Sequence, residues 1–287
     1  RSLKTKKTYT AGIIISDILN FTLASIERSI EELLVQQNYS LTICNSDESI
    51  ERERMWLEML RDRRMDGLIL LPTGGNRHFL FTLVEESEQH LVLIDRQIEG
   101  LKVDTVLFDN ETGAYAAVRH LIDLGHKRIG LLNLPSSLTP GQGRLRGYER
   151  ALQDGRLPFL PQYIREGSFK AQEGPHLVGE LLDQNPPPTA LFVSSNRLAQ
   201  AVLQEVKFRG LRMPDDLALC VFDDVPYFSW FTPTITAVSV NMNEFGQKAV
   251  QFLIERIKGE YTGEPRLAKI PCSLNIREST VGLGMRT

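Results

Sequence analysis

Short apolar runs, many of them β-branched, alternate with amphipathic helical segments along this chain, and this alternation constrains the fold more than any other feature. The first run, residues 11–15, is apolar throughout, which is typical of a strand buried on both faces. Apolar residues then recur at helical spacing at Leu23, Ile26, Ile30, Leu33 and Leu34. Strands that alternate with helices predict parallel sheets with helices on both faces.

The alternation continues to the end of the chain. Further strands are predicted at residues 41–44, 67–71, 91–94, 106–108, 128–132, 164–169, 190–194, 217–222, 235–240 and 269–276. Further helices are predicted at residues 50–60, 79–84, 110–125, 145–153, 174–184 and 198–209, with Asn110 as the cap of the third of these. So many strands exceed one comfortable sheet, and we therefore predict an α/β fold with two lobes.

Composition excludes several classes of protein. The formal net charge of the 287 residues is -3, so the bulk of the chain has no electrostatic reason to hold nucleic acid. Its basic start, Arg1 to Lys7, is the local exception. The three cysteines form no CxxC pair and are interpreted as small buried hydrophobes in a reducing compartment. No stretch is long enough to span a membrane, and no apolar signal core is visible, so we expect a cytoplasmic protein without membrane contacts.

Catalytic and metal-binding motifs are missing from the sequence. It contains no GxSxG, no GxxxxGK[ST] and no HExxH, and its five histidines lack metal-ligand spacing. Residues 141–143 (GQG) lack the context of a dinucleotide site and are interpreted as a flexible loop before the helix at 145. Asp223 and Asp224 are adjacent, so their side chains should point apart. We therefore expect no enzyme activity, no metal and no cofactor.

The predicted loops at the carboxyl ends of the strands hold binding chemistry instead. Ligands of open α/β sheets bind at these ends. The polar residues there are Asp17, Asn20, Asp95, Arg96, Arg144, Asn196, Asp223 and Asp224, with Phe21 and Phe169 nearby. Such groups can pair with sugar hydroxyls while an aromatic ring packs on the sugar. Each residue alone is equally typical of a turn or helix cap. Arg96 and Arg144 together would favour an acidic sugar or a sugar phosphate.

Four segments in order along the chain resemble the LacI/GalR family of bacterial transcription regulators. They are the start (RSLKTKKTYTAGIII), VLFDNETGAYAAVRHLIDLGHKRIGLL, GRLRGYERAL, and GLRMPDDLALCVFDD followed by FTPTITAVSVN. The resemblance implies a core like that of type I periplasmic binding proteins, built from two Rossmann-like lobes. It implies a hinge end at 1–7, one lobe at 8–122 with 240–262, a second at 123–239 with 263–280, and a tail at 281–287.

The resemblance also implies roles for single residues. Asp223 matches the effector-binding aspartate, and Arg144 matches the arginine that begins the helix after the variable loop. Phe169 and Phe21 match aromatic residues of the family's site. Ser195 and Asn196 stand where many relatives have Asn-Asp, which puts the contact from that loop in doubt. The loop at 136–143 departs from the purine-type pattern, which argues against a purine effector.

The function that the resemblance implies is that of the ligand-responsive core of a transcriptional repressor. A small effector (sugar, sugar acid or sugar phosphate) would bind between the lobes of a homodimer and change operator binding. Operator DNA would be reached only through an N-terminal DNA-binding domain that this sequence does not include. Candidate dimer surfaces are residues 51–64 and the aromatic residues Tyr227, Phe228, Trp230 and Phe231. The alternatives are a solute-binding receptor of a sugar transporter and an α/β enzyme.

Overall fold

The predicted alternation of strands and helices is present along the chain, and it builds two separate α/β units. The computed structural model describes residues 7–86, 89–167 and 174–281. Unit 1 consists of Arg1–Leu107 with Asn241–Ile270, and unit 2 consists of Phe108–Val240 with Pro271–Thr287. Each unit contains one six-stranded sheet. The α/β fold class with parallel sheets is therefore confirmed.

Unit 1 is a doubly wound sheet with helices on its two faces. Its strands are β1 (Thr10–Ile15), β2 (Ser40–Asn45), β3 (Gly67–Leu70), β4 (His90–Ile94), β5 (Asp104–Phe108) and β11 (Leu267–Ile270), in the order β11-β5-β4-β3-β1-β2. Its helices are α1 (Phe21–Gln36), α2 (Ile50–Asp62), α3 (Arg77–Glu86) and α8 (Met242–Lys258). β1 to β5 pair in parallel. One core lies between the sheet and α2 with α3, and contains Leu57, Leu60 and Leu80.

Unit 2 repeats the scheme. Its strands are β6 (Ile129–Asn133), β7 (Ile164–Glu166), β8 (Ala190–Val193), β9 (Ala218–Phe222), β10 (Thr236–Val240) and β12 (Cys272–Asn275), in the order β12-β10-β9-β8-β6-β7. Its helices are α4 (Asn110–Asp123), α5 (Thr139–Asp154), α6 (Gly174–Leu182) and α7 (Asn196–Arg209). Only the β10–β12 pair is antiparallel among the pairings described. The core against α6 and α7 contains Val178, Val202 and Phe228.

The bounds of the units differ from those of the predicted lobes in two places. The first crossover follows Leu107, so α4 belongs to unit 2, whereas the predicted first lobe extends to residue 122. α4 lies in unit 2 because its small residues pack there: a Cβ on Gly113 would come within 2.9 Å of the Phe222 ring and 3.0 Å of Cys272 Cβ. The last crossover follows Ile270, so β11 stays in unit 1.

Two further elements differ from the prediction. The single strand predicted at 269–276 is wrong, because Pro271 separates β11 from β12 and the two strands belong to different units. Helix α8 was not predicted at all, although Asn241 caps it and Gly259 ends it with a positive φ. Its buried residues recur at helical spacing, from Phe245 to Ile257.

Helix α5 begins earlier than predicted. Residues 141–143, interpreted as a flexible loop, form part of its first turns, and Pro140 stands at the start where its missing N–H costs nothing. A Cβ on Gly141 would approach the carbonyl oxygen of Leu134 to 2.6 Å, so glycine allows the helix to begin against the end of β6. The glycines therefore serve close packing and not flexibility.

The contact between α4 and α5 depends on Gly147. A Cβ at this position would lie 2.8 Å from both Ala114 Cβ and Tyr115 N, and closer still to the Glu111 carbonyl oxygen. We expect Gly147→Ala to lower the free energy of unfolding by about 1–3 kcal/mol, because the two backbones must separate. Gly179→Ala on α6 is the control, since its Cβ meets the flexible ends of two side chains, Arg209 at 3.3 Å and Glu205 at 3.9 Å. Chemical denaturation of both variants measures the difference, and equal stability would contradict this packing role.

Candidate functional site

Polar residues stand at the carboxyl ends of three neighbouring strands of unit 2. Asn133 ends β6, Ser194 follows β8, and Asp223 follows β9. All three are buried, with Asp223 the most exposed of them at 5%. The carboxyl ends of parallel strands are where α/β sheets bind their ligands. This edge of the sheet is therefore the candidate site of unit 2.

Arg144, on α5, connects the groups at this edge. Its Nε donates to Asn110 Oδ1 at 2.9 Å, and its Nη1 donates to the carbonyl oxygen of Ser194. Its Nη2 lies 3.6 Å from Asp223 Oδ1, which makes an ion pair of two buried side chains. The guanidinium carbon lies 3.7 Å from the centroid of the Phe222 ring, in cation–π geometry. Arg144 is thus fixed by the hydrogen bonds that it donates to Asn110 and Ser194, by the carboxylate of Asp223 and by the face of the Phe222 ring.

Asp223 is held in a strained conformation beside this arginine. Its φ is +74°, in the left-handed region that favours glycine. Burial raises the pKa of its carboxyl, while the charge of Arg144 and the backbone N–H of Asn196 act in the opposite direction. Its Oδ1 is buried and accepts no hydrogen bond from the residues that the structure describes. A buried acceptor of this kind can take a proton donor from a ligand.

The Asn196 N–H that reaches Asp223 belongs to the start of helix α7. Ser195 is the cap of this helix, since its Oγ accepts from Leu198 N at 3.2 Å, and Asn196 is its first residue. Both residues are buried. A helix N-terminus carries partial positive charge, which favours a carboxylate at this place. Ser195 and Asn196 therefore lie at the unit 2 edge together with Arg144 and Asp223.

In unit 1, the loop after β1 uses its polar residues for local structure. Asp17 Oδ1 accepts from Leu19 N at 2.9 Å, and Asn20 Oδ1 accepts from Thr22 N at 3.0 Å as the cap of α1. The side chain of Phe21 is 44% exposed at the start of that helix, and Ile18 and Leu19 are exposed beside it. This loop therefore offers apolar surface, with its polar groups engaged in the turn and the cap.

Arg96 is bound inside unit 1. Its two terminal nitrogens donate to the Glu48 carboxylate at 2.9 and 2.6 Å, and Nη1 also donates to the Pro72 carbonyl oxygen at 3.1 Å. Only 3% of Arg96 is exposed. The prediction that Arg96 would favour an anionic effector did not foresee Glu48 as its partner. Bidentate pairing with Glu48 already uses the geometry that an effector carboxylate would need.

Buried Glu53, on α2, organises the next loop of unit 1. Its carboxylate accepts from Asn76 Nδ2 at 2.9 Å and from Thr73 N. Burial raises its pKa, and the hydrogen bonds from Asn76 and Thr73 lower it in part. Glu53 lay inside a charge-rich stretch proposed as a dimer surface, and nothing in its local sequence distinguished it from exposed neighbours. Its burial comes from tertiary packing.

The structure brings together Arg144, Ser195, Asn196 and Asp223 at one edge, and Asp17, Asn20, Phe21 and Arg96 belong to the other unit. Phe169 lies outside the described residues. Asn110, Asn133 and Ser194 were missed; Asn110 was predicted as the cap of α4, but Asp109 caps it, accepting from Thr112 N at 3.3 Å. Within the described ranges, no cluster of histidine, cysteine or acidic residues could hold a metal ion. No helix of the described part combines the length and apolarity of a membrane span.

Known proteins resemble the chain in sequence and in fold. Residues 118–280 match the family model described as a periplasmic binding protein-like domain. A probable HTH-type transcriptional regulator EndR of Paenibacillus polymyxa is 34% identical over 99% of this chain and 84% of its own length. The HTH-type transcriptional repressor PurR of Aliivibrio fischeri is 31% identical over 90% of this chain and 77% of its own length. The structure of a transcriptional regulator CelR–cellobiose complex has a TM-score of 0.86 at 27% identity, covering 95% of this chain and 85% of that one.

Proposed function

Because this chain belongs to the LacI family of transcription regulators and is the ligand-responsive core of one, we propose that it senses a sugar or sugar derivative through the carboxyl ends of its strands. The observation that carries this proposal is the buried Arg144–Asp223 pair with its hydrogen bonds to Asn110 and Ser194. A buried, oriented set of polar groups is what a site for a small polar molecule requires.

The residues that we propose to contact or support the effector are those predicted from the sequence. For those that the structure describes, contacts and exposure support a role for each. In unit 2 they are Arg144, Ser195, Asn196, Asp223 and Phe169. In unit 1, Phe21 offers an exposed aromatic face, while Asp17 and Asn20 hold the loop that carries it. Arg96 holds the loops of Glu48 and Pro72 in position. The test includes purines because PurR repressors are relatives, although the 136–143 segment argues against a purine effector.

The regulator would act as a homodimer on operator DNA in the cytoplasm, through a DNA-binding domain in the same polypeptide. Exposed aromatic residues support the dimer: Trp230 is 79% exposed and Phe231 40%, whereas Phe228 packs in the core of unit 2 and cannot contribute. Effector binding would change the balance between two conformations, which requires different affinities for them. Relatives that are regulators favour this role over a transport receptor and over an enzyme.

A thermal-shift screen tests the proposal. The chain is heated with neutral sugars (cellobiose among them), sugar acids, sugar phosphates and purines. A ligand at about one hundred times its dissociation constant adds roughly 2.7 kcal/mol to the free energy of unfolding, which gives a clear rise in Tm. We expect one class to give this rise, and expect Asp223→Ala to remove it.

Asp215→Ala is the matched control, because Asp215 is an exposed carboxylate of unit 2 that only approaches Arg212 at 3.7 Å. It should keep the full ligand-induced rise. Asp223→Leu, which also removes both carboxylate oxygens, serves if the alanine variant does not fold. A rise that persists in both Asp223 variants would contradict the proposed site, and the lack of any rise would contradict the proposed effector class.

A further inference from the structure

The charges at the unit 2 edge balance each other. Arg144 is the cation nearest Asp223, and the two form a pair in which both side chains are almost fully buried. The other nitrogens of Arg144 are used by Asn110 and Ser194, and its face is covered by Phe222. An effector carboxylate or phosphate would have to compete with Asp223 for this guanidinium. It would also face the charge of Asp223 itself in a medium of low dielectric.

Two buried side-chain oxygens at this edge can accept a hydrogen bond from a ligand. Asp223 Oδ1 and Asn133 Oδ1 are both buried, and neither accepts a hydrogen bond from any residue within 7–86, 89–167 or 174–281. Asp223 Oδ1 has only the longer 3.6 Å contact with Arg144 Nη2, and Asn133 Oδ1 has no donor within those ranges, so a ligand that supplies a donor to either oxygen gains affinity. A ligand that brings only further acceptors gains nothing from these two atoms. Both atoms therefore favour hydroxyl or N–H groups.

The side-chain amide of Asn133 is oriented so that its Oδ1 is the atom available to a ligand. Its Nδ2 donates to the Gly141 carbonyl oxygen at 3.0 Å, which fixes which end of the amide is the oxygen. Gly141 lies one turn before Arg144 on α5. The main-chain oxygen of Asn133 accepts from Gly167 N at 2.9 Å, so the residue is anchored on both sides. Asn133 and Asp223 are thus tied to the same first turns of one helix.

We infer that the unit 2 edge selects an uncharged, hydroxyl-bearing effector, and that Asn133 is a specificity-determining residue that accepts a hydrogen bond from it, as Asp223 does. The inference rests on the proposed function, because it assumes that the effector binds at this edge. It replaces the acidic sugar or sugar phosphate favoured by Arg96 and Arg144 in the sequence. In the folded chain each of these arginines already has a carboxylate partner.

Calorimetric titration with matched sugars tests the charge of the effector. The probes are glucose, glucuronate and glucose 6-phosphate, the corresponding galactose set, and ribose with ribose 5-phosphate. We expect the uncharged member of the set that binds to bind at least tenfold more tightly than its acid or phosphate. Tighter binding of an acid or phosphate would overturn this inference but leave the proposed function standing. Binding of no sugar, charged or uncharged, would overturn the proposed function as well.

The Asn133→Leu variant tests the proposed role of Asn133 in effector specificity. We expect it to weaken binding of the uncharged sugar about tenfold and to reduce the ratio between uncharged and charged affinities. A purely structural role would lower the Tm of the unliganded protein and leave that ratio unchanged, which would overturn the assignment. Asn133→Ala, which also removes the acceptor oxygen but adds no bulk or charge, should have the same effect and serves if the leucine variant does not fold. Asn275→Leu is the control, because this asparagine binds Asp224 outside the proposed site.

Discussion

Replacement of Arg144 by methionine is expected to lower the free energy of unfolding of unit 2 by about 3–5 kcal/mol, because it leaves the carboxylate of Asp223 buried without its countercharge. Asn110 and the Ser194 carbonyl oxygen lose their donor at the same time. Methionine keeps most of the volume over the Phe222 ring, so the loss reports charge and hydrogen bonding more than packing. Urea denaturation followed by circular dichroism measures the change.

The Arg146→Met variant is the control for this prediction. Arg146 stands two residues further along α5 with a half-exposed side chain, and its pair with Glu111 lies at the surface. Such a pair contributes about 0–1 kcal/mol, so the variant should stay close to wild type. Adding Asp223→Asn to Arg144→Met should recover part of the loss, since the buried charge is then removed. A double variant as unstable as the sum of the two single variants would show that the two side chains do not stabilise each other.

Much of the fold could be predicted because buried parallel strands have a simple sequence pattern, a short run of apolar residues. Runs such as residues 11–15 and 218–222 are apolar throughout. In the structure the first is all of β1 but its first residue, and the second is the whole of β9. Helix α8 has an equally clear apolar periodicity, so the sequence after residue 240 also contains the pattern that predicts it. The start of α5 is different. In the local sequence its glycines are typical of a loop. Only the close approach of the helix to the end of β6 explains them.

The site was predictable in part. Strand ends can be located in the sequence, but the ion-pair and hydrogen-bond partners of the side chains there cannot. Arg144 and Asp223 were both expected at strand ends, and the structure pairs them. Arg96 was expected there too, yet its partner Glu48 lies on a loop 48 residues earlier, where Asp47 and Glu48 both have positive φ. Asn133 lies just after the strand predicted at 128–132 and was not predicted as a site residue, since no local pattern shows which polar atoms lack a donor. Those properties arise from tertiary contacts alone.

Asp104, at the start of β5, should make unit 1 sensitive to acid. Its carboxylate accepts hydrogen bonds from Arg256 at 2.9 and 3.0 Å and from the Arg266 side chain at 2.8 Å and main-chain N–H at 2.7 Å. Burial by itself would raise the pKa of Asp104, but the bonds and charges of the two arginines outweigh it and lower the pKa from 3.8 to about 2. Arg266 in turn packs over Phe252 and Tyr261, which fixes the cluster.

A lowered pKa means that the folded state binds the proton less readily than the unfolded state. The contribution of Asp104, about 2 kcal/mol, is therefore complete above about pH 4 and is lost as the pH falls towards 2. We expect Asp104→Asn to lower the free energy of unfolding by about 3 kcal/mol at pH 7, since Arg256 loses its carboxylate partner and Arg266 keeps only Glu255. The variant should also lose less stability than wild type between pH 5 and pH 2.5, measured by denaturation at each pH.

Asp183→Asn provides the comparison for this pH dependence. Asp183 also binds an arginine, Arg209, and its pKa is also lowered by that hydrogen bond, but its side chain is 66% exposed. Solvent screens an exposed pair, so this variant should follow the wild-type curve closely. If Asp183→Asn and Asp104→Asn changed the acid limb equally, general surface charge would explain the acid sensitivity. If only Asp104→Asn flattened it, the Asp104–Arg256–Arg266 cluster would be the group whose protonation opens unit 1.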